Sequence, residues 1–338
     1  MLKNLIKQIL TNTGPKLFIK KKIEKKLPYL SNINLRSYGK KNPNKIFYVI
    51  RRSPGAGLFS NLTYVLNHLV VANKHNFIPV VDMENYPTIY NEKNKVNGTK
   101  NSWLYYFDQI SKFSLKEVYK SKNVILTKNR FYKTFTHNIY DNKKISKFKN
   151  KIKVKKKLKI KAQNFINRYS LDKQKTLGIH YRGTSYKDAA NHPFPPTFKQ
   201  LSIKIDKLIK IHNFTKIYFA TEDKGMFDLV TKKYGKKICY YNSFRSKKDD
   251  AFKKYTRLNH RYKLGEEILI ESLILSKCHT FLFVETNVSS FVRFINNKKQ
   301  KLKEFKNGYN STNEYVAKWL WYIKRILPSN FGGFKDFI

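Results

Sequence analysis

Two cysteines in 338 residues make no disulfide framework, and neither Cys239 nor Cys278 stands at a metal-ligand spacing. So little cysteine fits a reducing, cytoplasmic setting. No apolar run approaches 18 residues, so no membrane-spanning helix is expected. Asp-x-Asp occurs nowhere, which removes the carboxylate pair that commonly holds a divalent ion on a diphosphate. Acidic residues are scarce, 22 against 70 Lys and Arg, for a formal net charge of +48. Arginine is scarce in turn, 11 of those 70. Lys, Asn, Ile, Tyr and Phe abound instead, a bias that AT-rich codons produce. Modules that read bases and phosphates favour Arg, so this balance argues against a specific nucleic-acid binder. A basic nucleic-acid-binding protein stays as the non-enzymatic alternative, but it needs an Arg-rich patch or a recognition helix, and neither is visible. The charge still draws the chain toward anionic partners and membrane surfaces.

With 41% hydrophobic and 15% aromatic residues, the chain can bury real cores in one large or two ordinary domains. Residues 1–44 read as a basic leader. Within it Leu2, Leu5, Ile6, Ile9 and Leu10 line one face of an amphipathic helix, able to lie on an anionic membrane or on the protein's own body. Residues 45–51 form a buried strand by their β-branched and aromatic content. A turn, Ser53-Pro54-Gly55-Ala56-Gly57, leads into a helix over 58–74, and a second strand covers 77–81. Residues 83–140 are loop-rich and aromatic, with a short strand at 124–126. A Lys-rich helix over 143–168 bridges the halves, so an N-terminal Rossmann-like domain is expected over 45–168.

The second half alternates strands at 176–181, 216–220, 237–241 and 280–284 with helices at 194–212, 224–234, 264–277 and 288–296. Such alternation means a parallel, doubly wound sheet, here a C-terminal Rossmann-like domain over 169–300. A helical tail is expected over 301–338.

In such sheets ligands sit beyond the C-terminal strand ends, and the polar residues gather there. His180 lies at the end of the strand at 176–181, and Arg182, Thr184, Lys187 and Asp188 follow it. Arg182 can fork onto a phosphate through two parallel N–H bonds. Asp188 can serve as a general base or as a helix-proximal cap. Thr221-Glu222-Asp223 ends the next strand and can cap the helix that follows. Asn242-Ser243-Phe244-Arg245 ends the third. Glu271 is an acid inside an otherwise apolar helix and needs a buried partner. Thr286-Asn287-Val288-Ser289-Ser290 opens the last helix, where free N–H groups and hydroxyls suit a diphosphate. Gly55 and Gly57 make a tight turn that either lets the helix pack closely or walls a cleft, and Asn61, nearer the turn, can reach a sugar.

The order of these segments resembles the fucosyltransferase superfamily that joins the α-1,6-fucosyltransferases to the protein O-fucosyltransferases. The likeness spans roughly residues 46–296. It rests on His180-Tyr181-Arg182, on Asp188-Ala189-Ala190-Asn191-His192-Pro193, on Thr221-Glu222-Asp223, on Asn242-Ser243 and on Ser289-Ser290. Gly183 stands where the α-1,6 branch carries a second Arg, and Ser185 where it usually has Asp.

The resemblance implies a GT-B fold, two Rossmann-like domains facing a central cleft. It implies inverting, metal-independent transfer of fucose from GDP-fucose to a hydroxyl of a glycan or lipid-linked saccharide in polysaccharide biosynthesis, with no cofactor. Asp188 would be the base, and Arg182 would stabilise the leaving diphosphate. Gly55, Gly57, Asn61, His180, Thr221, Glu222, Asp223, Asn242, Ser243, Glu271, Thr286, Asn287 and Ser289 would bind the GDP-sugar. A GT-B transferase for another nucleotide sugar is the alternative within enzymes. The expected location is cytoplasmic, peripheral at the inner membrane face.

Overall fold

The computed structural model describes residues 34–55, 57–127, 135–296 and 300–335. The amphipathic segment at the start and Ala56 of the glycine turn lie outside the described residues. The chain divides into two compact units, the first ending at Val154 and the second running from Lys155. Each carries its own sheet, and the α/β class holds in both.

The first unit begins with β1 (Asn34–Arg36) and β2 (Lys41–Ile50), continues through α1 (Leu58–Lys74) and β3 (Ile78–Val81), and ends its sheet with β4 (Ser121–Leu126). Spatial order is β1-β4-β2-β3, with β2, β3 and β4 parallel and β1 antiparallel at the edge. Part of the segment expected as leader is therefore sheet. Phe47, Val49, Val80, Val124 and Leu126 bury one face together with Val118. These are strand residues at every second position, as a period of two requires. The Tyr48 hydroxyl of β2 meets Nδ1 of His68 on α1 at 2.8 Å.

The single Lys-rich helix expected over 143–168 is broken. A helical turn (Lys143–Ser146) and a 3-10 turn (Lys149–Lys151) precede α2 (Lys156–Tyr169). The cause lies in Ile152-Lys153-Val154: Val154 is buried and bridges to Phe107, and the Lys153 carbonyl accepts from Asp108 N at 2.8 Å. Extended pairing there competes with helix. Leu158, Ala162 and Ile166, four apart, then bury one face of α2, and α2 packs on α5 (His260–Leu275) of the second unit. The boundary thus falls at 154/155, ahead of the helix expected to belong to the first domain.

The second unit runs β5 (Thr176–Tyr181), α3 (Phe198–His212), β6 (Lys216–Thr221), α4 (Lys224–Tyr234), β7 (Ile238–Cys239), then α5, β8 (Thr280–Phe283), α6 (Asn287–Ile295), β9 (Lys301–Glu304) and α7 (Glu314–Ile326). All five strands are parallel, in order β7-β6-β5-β8-β9. Both faces of its centre are covered, so β5, β6 and β8 are buried along nearly their whole length. Leu177, Ile179, Ile217, Phe219 and Leu282 pack under α3 and α4. Tyr218, Ala220, Phe281 and Phe283 pack under α2, α5 and α6. The tail expected as helical opens with β9 on the sheet edge. Its exposed lysines give no apolar alternation to read, and lysine is what protects such an edge.

Candidate active site at the strand ends of the second unit

The strand order reverses direction between β5 and β8. That is the topological switch point, where the loops leaving the two strands diverge and open a crevice beyond their C-terminal ends. Arg182, Glu222 and Glu285 all lie just past strand ends of this sheet.

The loop after β5 is built around an anion of the protein's own. Glu222 Oε1 accepts from Gly183 N at 2.9 Å, Thr184 N at 3.1 Å and Thr184 Oγ1 at 3.1 Å, with Arg182 Nε 3.6 Å away. Burial opposes its charge. Arg182 and the backbone donors outweigh burial and hold the carboxyl below its usual range. Arg182 Nη2 donates to Ser185 Oγ at 3.0 Å, and the guanidinium lies 5.8 Å from the centre of the Tyr186 ring. Arg182 is therefore oriented at three points and remains a third exposed.

His180 is buried. Burial above all, with Arg182 adding and Glu222 opposing, pushes it down to about 4, so the ring is uncharged at neutral pH. Its Nδ1 has no hydrogen-bond partner among the described residues.

Gly183 could not be the second arginine of the α-1,6 pattern. A Cβ there would stand 2.3 Å from the Tyr181 ring and 2.4 Å from Asp223 Oδ2. Asp223 caps α4, accepting from Met226 N at 2.9 Å, and pairs with Lys187 Nζ at 2.8 Å. Thr221 Oγ1 accepts from Asp223 N at 3.1 Å. Glu222 and Asp223 thus both reach the arginine loop, Glu222 at Gly183 and Thr184 and Asp223 at Lys187, while Asp223 also caps α4 and Thr221 steadies that cap.

Asp188 is exposed and caps no helix. The next helix, α3, is capped by Thr197 in a reciprocal pair with Gln200. The capping alternative for Asp188 therefore fails. Beyond β7, Asn242 is exposed, while Ser243 Oγ donates to Glu271 Oε1 at 2.6 Å. Arg245 donates to the Ser243 and Tyr241 carbonyls at 2.9 Å each and approaches Glu271 at 3.9 Å. Burial raises Glu271 to about 7 despite Arg245 and Ser243. Glu271 holds the loop beneath Asn242.

Beyond β8, Thr286 Oγ1 accepts from Ser289 N at 3.0 Å, and Ser289 Oγ accepts from Thr286 N at 2.9 Å. Both hydroxyls are committed to capping α6. Asn287 is its first residue. Glu285, missed in the sequence, pairs with Arg293 of α6.

In the first unit, Asn61 is buried. Its Oδ1 accepts from Ser53 N at 2.9 Å and its Nδ2 donates to the Gly57 carbonyl at 3.2 Å. A side chain used at both ends has little left for a sugar. At Gly55 a Cβ would displace the Ser60 hydroxyl, which stands 2.3 Å away and meets Ser53 Oγ; Gly57 has open space around it.

Sequence reasoning also missed the part played by α7. Trp319 and Tyr322 line a cavity of about 740 Å³ together with Ser185, Asp188, Ala189, Asp249 and Lys318. Their spacing along an exposed helix was the available signal. A larger cavity, about 1160 Å³, lies toward Thr197, Asp223 and Trp321. Of its lining charges, Lys187 and Asp223 pair with one another, and Lys199, Arg325 and Lys335 add positive charge.

No family model matches the chain, and no curated protein matches it. Among solved structures it is similar to the α-1,6-fucosyltransferase NodZ co-crystallised with GDP, at 13% identity over 74% of this chain and 92% of that one, TM-score 0.47. It is similar to the fucosyltransferase NodZ from Bradyrhizobium at 12% identity, 74% and 92%, TM-score 0.45. It is also similar to POFUT1 in complex with GDP-fucose at 12% identity, 86% and 79%, TM-score 0.37. With identities this low and these TM-scores below one half, the site's chemistry rests on this chain's own residues.

Proposed function

We propose that this chain is a GT-B glycosyltransferase that moves fucose from GDP-fucose to a hydroxyl of a glycan acceptor, with inversion and without a metal ion. The observation that carries the reading is the loop after β5. One arginine, oriented by Glu222, Ser185 and Tyr186, stands beyond the strand at the switch point of a parallel sheet. The motif order along the chain supports the donor class.

In the reaction, Asp188 takes the proton from an acceptor hydroxyl, and the oxygen forms its bond to the anomeric carbon. The bond from that carbon to the β-phosphate oxygen breaks on the opposite face, and GDP leaves with the electron pair. Arg182 meets the charge that develops on the diphosphate. Glu222 is a positioning residue for Arg182, and the α6 N-terminus adds backbone N–H groups. Asn242, His180 and Asn287 belong to the donor pocket on this reading. The acceptor is a saccharide of a surface or lipid-linked glycan, and the +48 charge favours work at an anionic, cytoplasmic membrane face. No helix among the described residues is long and apolar enough to cross a membrane.

A thermal-shift screen tests the reading. GDP raises the melting temperature, EDTA leaves that rise in place, and UDP gives less. At GDP roughly 100-fold above its Kd, the rise reflects about 2.7 kcal/mol. A larger response to UDP, or loss of the GDP response with EDTA, overturns it.

A further inference from the structure

α7 carries an unusual load of exposed aromatic and aliphatic surface. Trp319 is 67% exposed, Tyr322 39% and Tyr315 80%, while Ala317 and Trp321 anchor the helix on its inner face. Exposed aromatic side chains clustered on one helix face mark a binding surface. Trp319 and Tyr322, three apart, stand on the same side of α7 and line the 740 Å³ cavity. That volume lies within the range of small-ligand sites.

The cavity's other walls narrow the ligand class. Asp188 and Asp249 supply carboxylate acceptors, Ser185 a hydroxyl and Lys318 an ammonium donor. Flat aromatic faces beside alternating acceptors and donors suit a molecule with apolar C–H faces and a rim of hydroxyls. A pyranose ring has both. A lipid face would instead exclude carboxylates from its centre.

The cavity also joins the anion loop. Ser185, one of its walls, accepts from Arg182 Nη2 at 3.0 Å. The Tyr322 hydroxyl interacts with the Asp188 carboxylate. A hydroxyl of a sugar lying on Trp319 and Tyr322 would therefore lie within the cavity that Asp188 lines, next to the Ser185 that Arg182 holds.

We infer that α7 forms the acceptor subsite: Trp319 and Tyr322 stack on a sugar ring of the acceptor and present its hydroxyl to Asp188. This rests on the transferase reading but concerns a different ligand. Both residues are positioning and specificity residues; Asp188 alone takes the proton.

The test needs no donor. Calorimetric titration of the full chain with a panel of neutral di- and trisaccharides should find at least one that binds. Trp319→Ala should weaken it roughly tenfold or more, equivalent to about 1.4 kcal/mol. Tyr322→Phe keeps the ring and should bind within about twofold of the parent, whereas Tyr322→Ala should not. A retained GDP thermal shift in each variant shows that the fold stands. A GDP response with no saccharide binding overturns the subsite and leaves the donor reading. Saccharide binding with no GDP response does the reverse. Unchanged saccharide affinity in Trp319→Ala overturns the subsite. So does loss of sedimentation with phosphatidylglycerol–phosphatidylcholine vesicles while saccharide affinity holds, which would make the face a lipid surface.

Discussion

After β2 the chain turns through Ser53 and Gly57 into α1; after β5 it turns through Arg182 and Asp188 before reaching α3. Both turns follow the C-terminal end of a parallel strand, and both contain a glycine whose Cβ would press on a neighbouring side chain. In the first, Ser53, Asn61 and Ser60 hydrogen-bond to the turn itself. In the second, a carboxylate imported from β6 satisfies the backbone donors, and the arginine beside it stays partly exposed. The same local plan thus gives a closed joint in one unit and an open, charged loop in the other. What separates them is whether the turn's polar atoms are matched within its own segment or from a neighbouring strand.

The largest effect that would sharpen this contrast is at Asp188. Asp188→Asn keeps size and most hydrogen bonds but cannot accept the proton. Transfer should fall by about 10²–10⁴-fold, while GDP affinity is nearly unchanged. Retained transfer, measured as fucosylated product, would move the base to another acid.

Gly183→Ala probes the open loop's packing. The new methyl would press on the buried Tyr181 ring and on the cap Asp223. Denaturant unfolding should show a loss of about 1–3 kcal/mol. A smaller penalty would mean that the loop yields more readily than its contacts indicate.

Asn61→Ala opens the closed joint. It leaves Ser53 N and the Gly57 carbonyl without their side-chain partner, at a cost of about 1–3 kcal/mol. The KM for donor should not move. A large rise in donor KM with unchanged stability would return Asn61 to the sugar site.

Glu271 gives the most pH-specific effect. Its folded pKa, about 7, lies above its ordinary 4.5. Between those values the native state holds a proton that the unfolded state has lost. The stability that this group contributes is therefore full below about 4.5 and is lost as pH rises through about 7. Glu271→Gln should flatten that part of the stability–pH curve, read by thermal unfolding at several pH values. An unchanged slope would assign it to other groups.

The legible parts were those with local periodicity. Helices α1 and α4 and strand β5 fall at the limits that their apolar residues predict, and α1 and β5 are buried along nearly their whole length. β1 and β9 escaped: β1 is a short edge strand whose partner β4 lies far along the chain, and β9 is a short edge strand of Lys-Leu-Lys-Glu with no apolar pattern to read. The broken Lys-rich helix escaped because Val154 pairs with Phe107, a contact at long sequence distance. At the site, residue types at strand ends drew attention to Arg182 and Glu222. They did not separate ligand-facing groups from caps, so Thr286, Ser289 and Asp223 looked alike to Arg182 until their hydrogen bonds were drawn. Trp319 and Tyr322 sit 131 and 134 residues beyond Asp188 in the sequence, and only the fold joins them to it.

The central claim is that Arg182 receives the donor's diphosphate. The direct measurement is GDP affinity and transfer rate in Arg182→Lys, in protein shown to be folded. Lysine keeps the charge but loses the fork and the three-point orientation. The account predicts a clear loss of GDP-induced stabilisation and a fall in transfer of about 10²–10³-fold. Near-normal GDP binding and turnover in folded Arg182→Lys would contradict it.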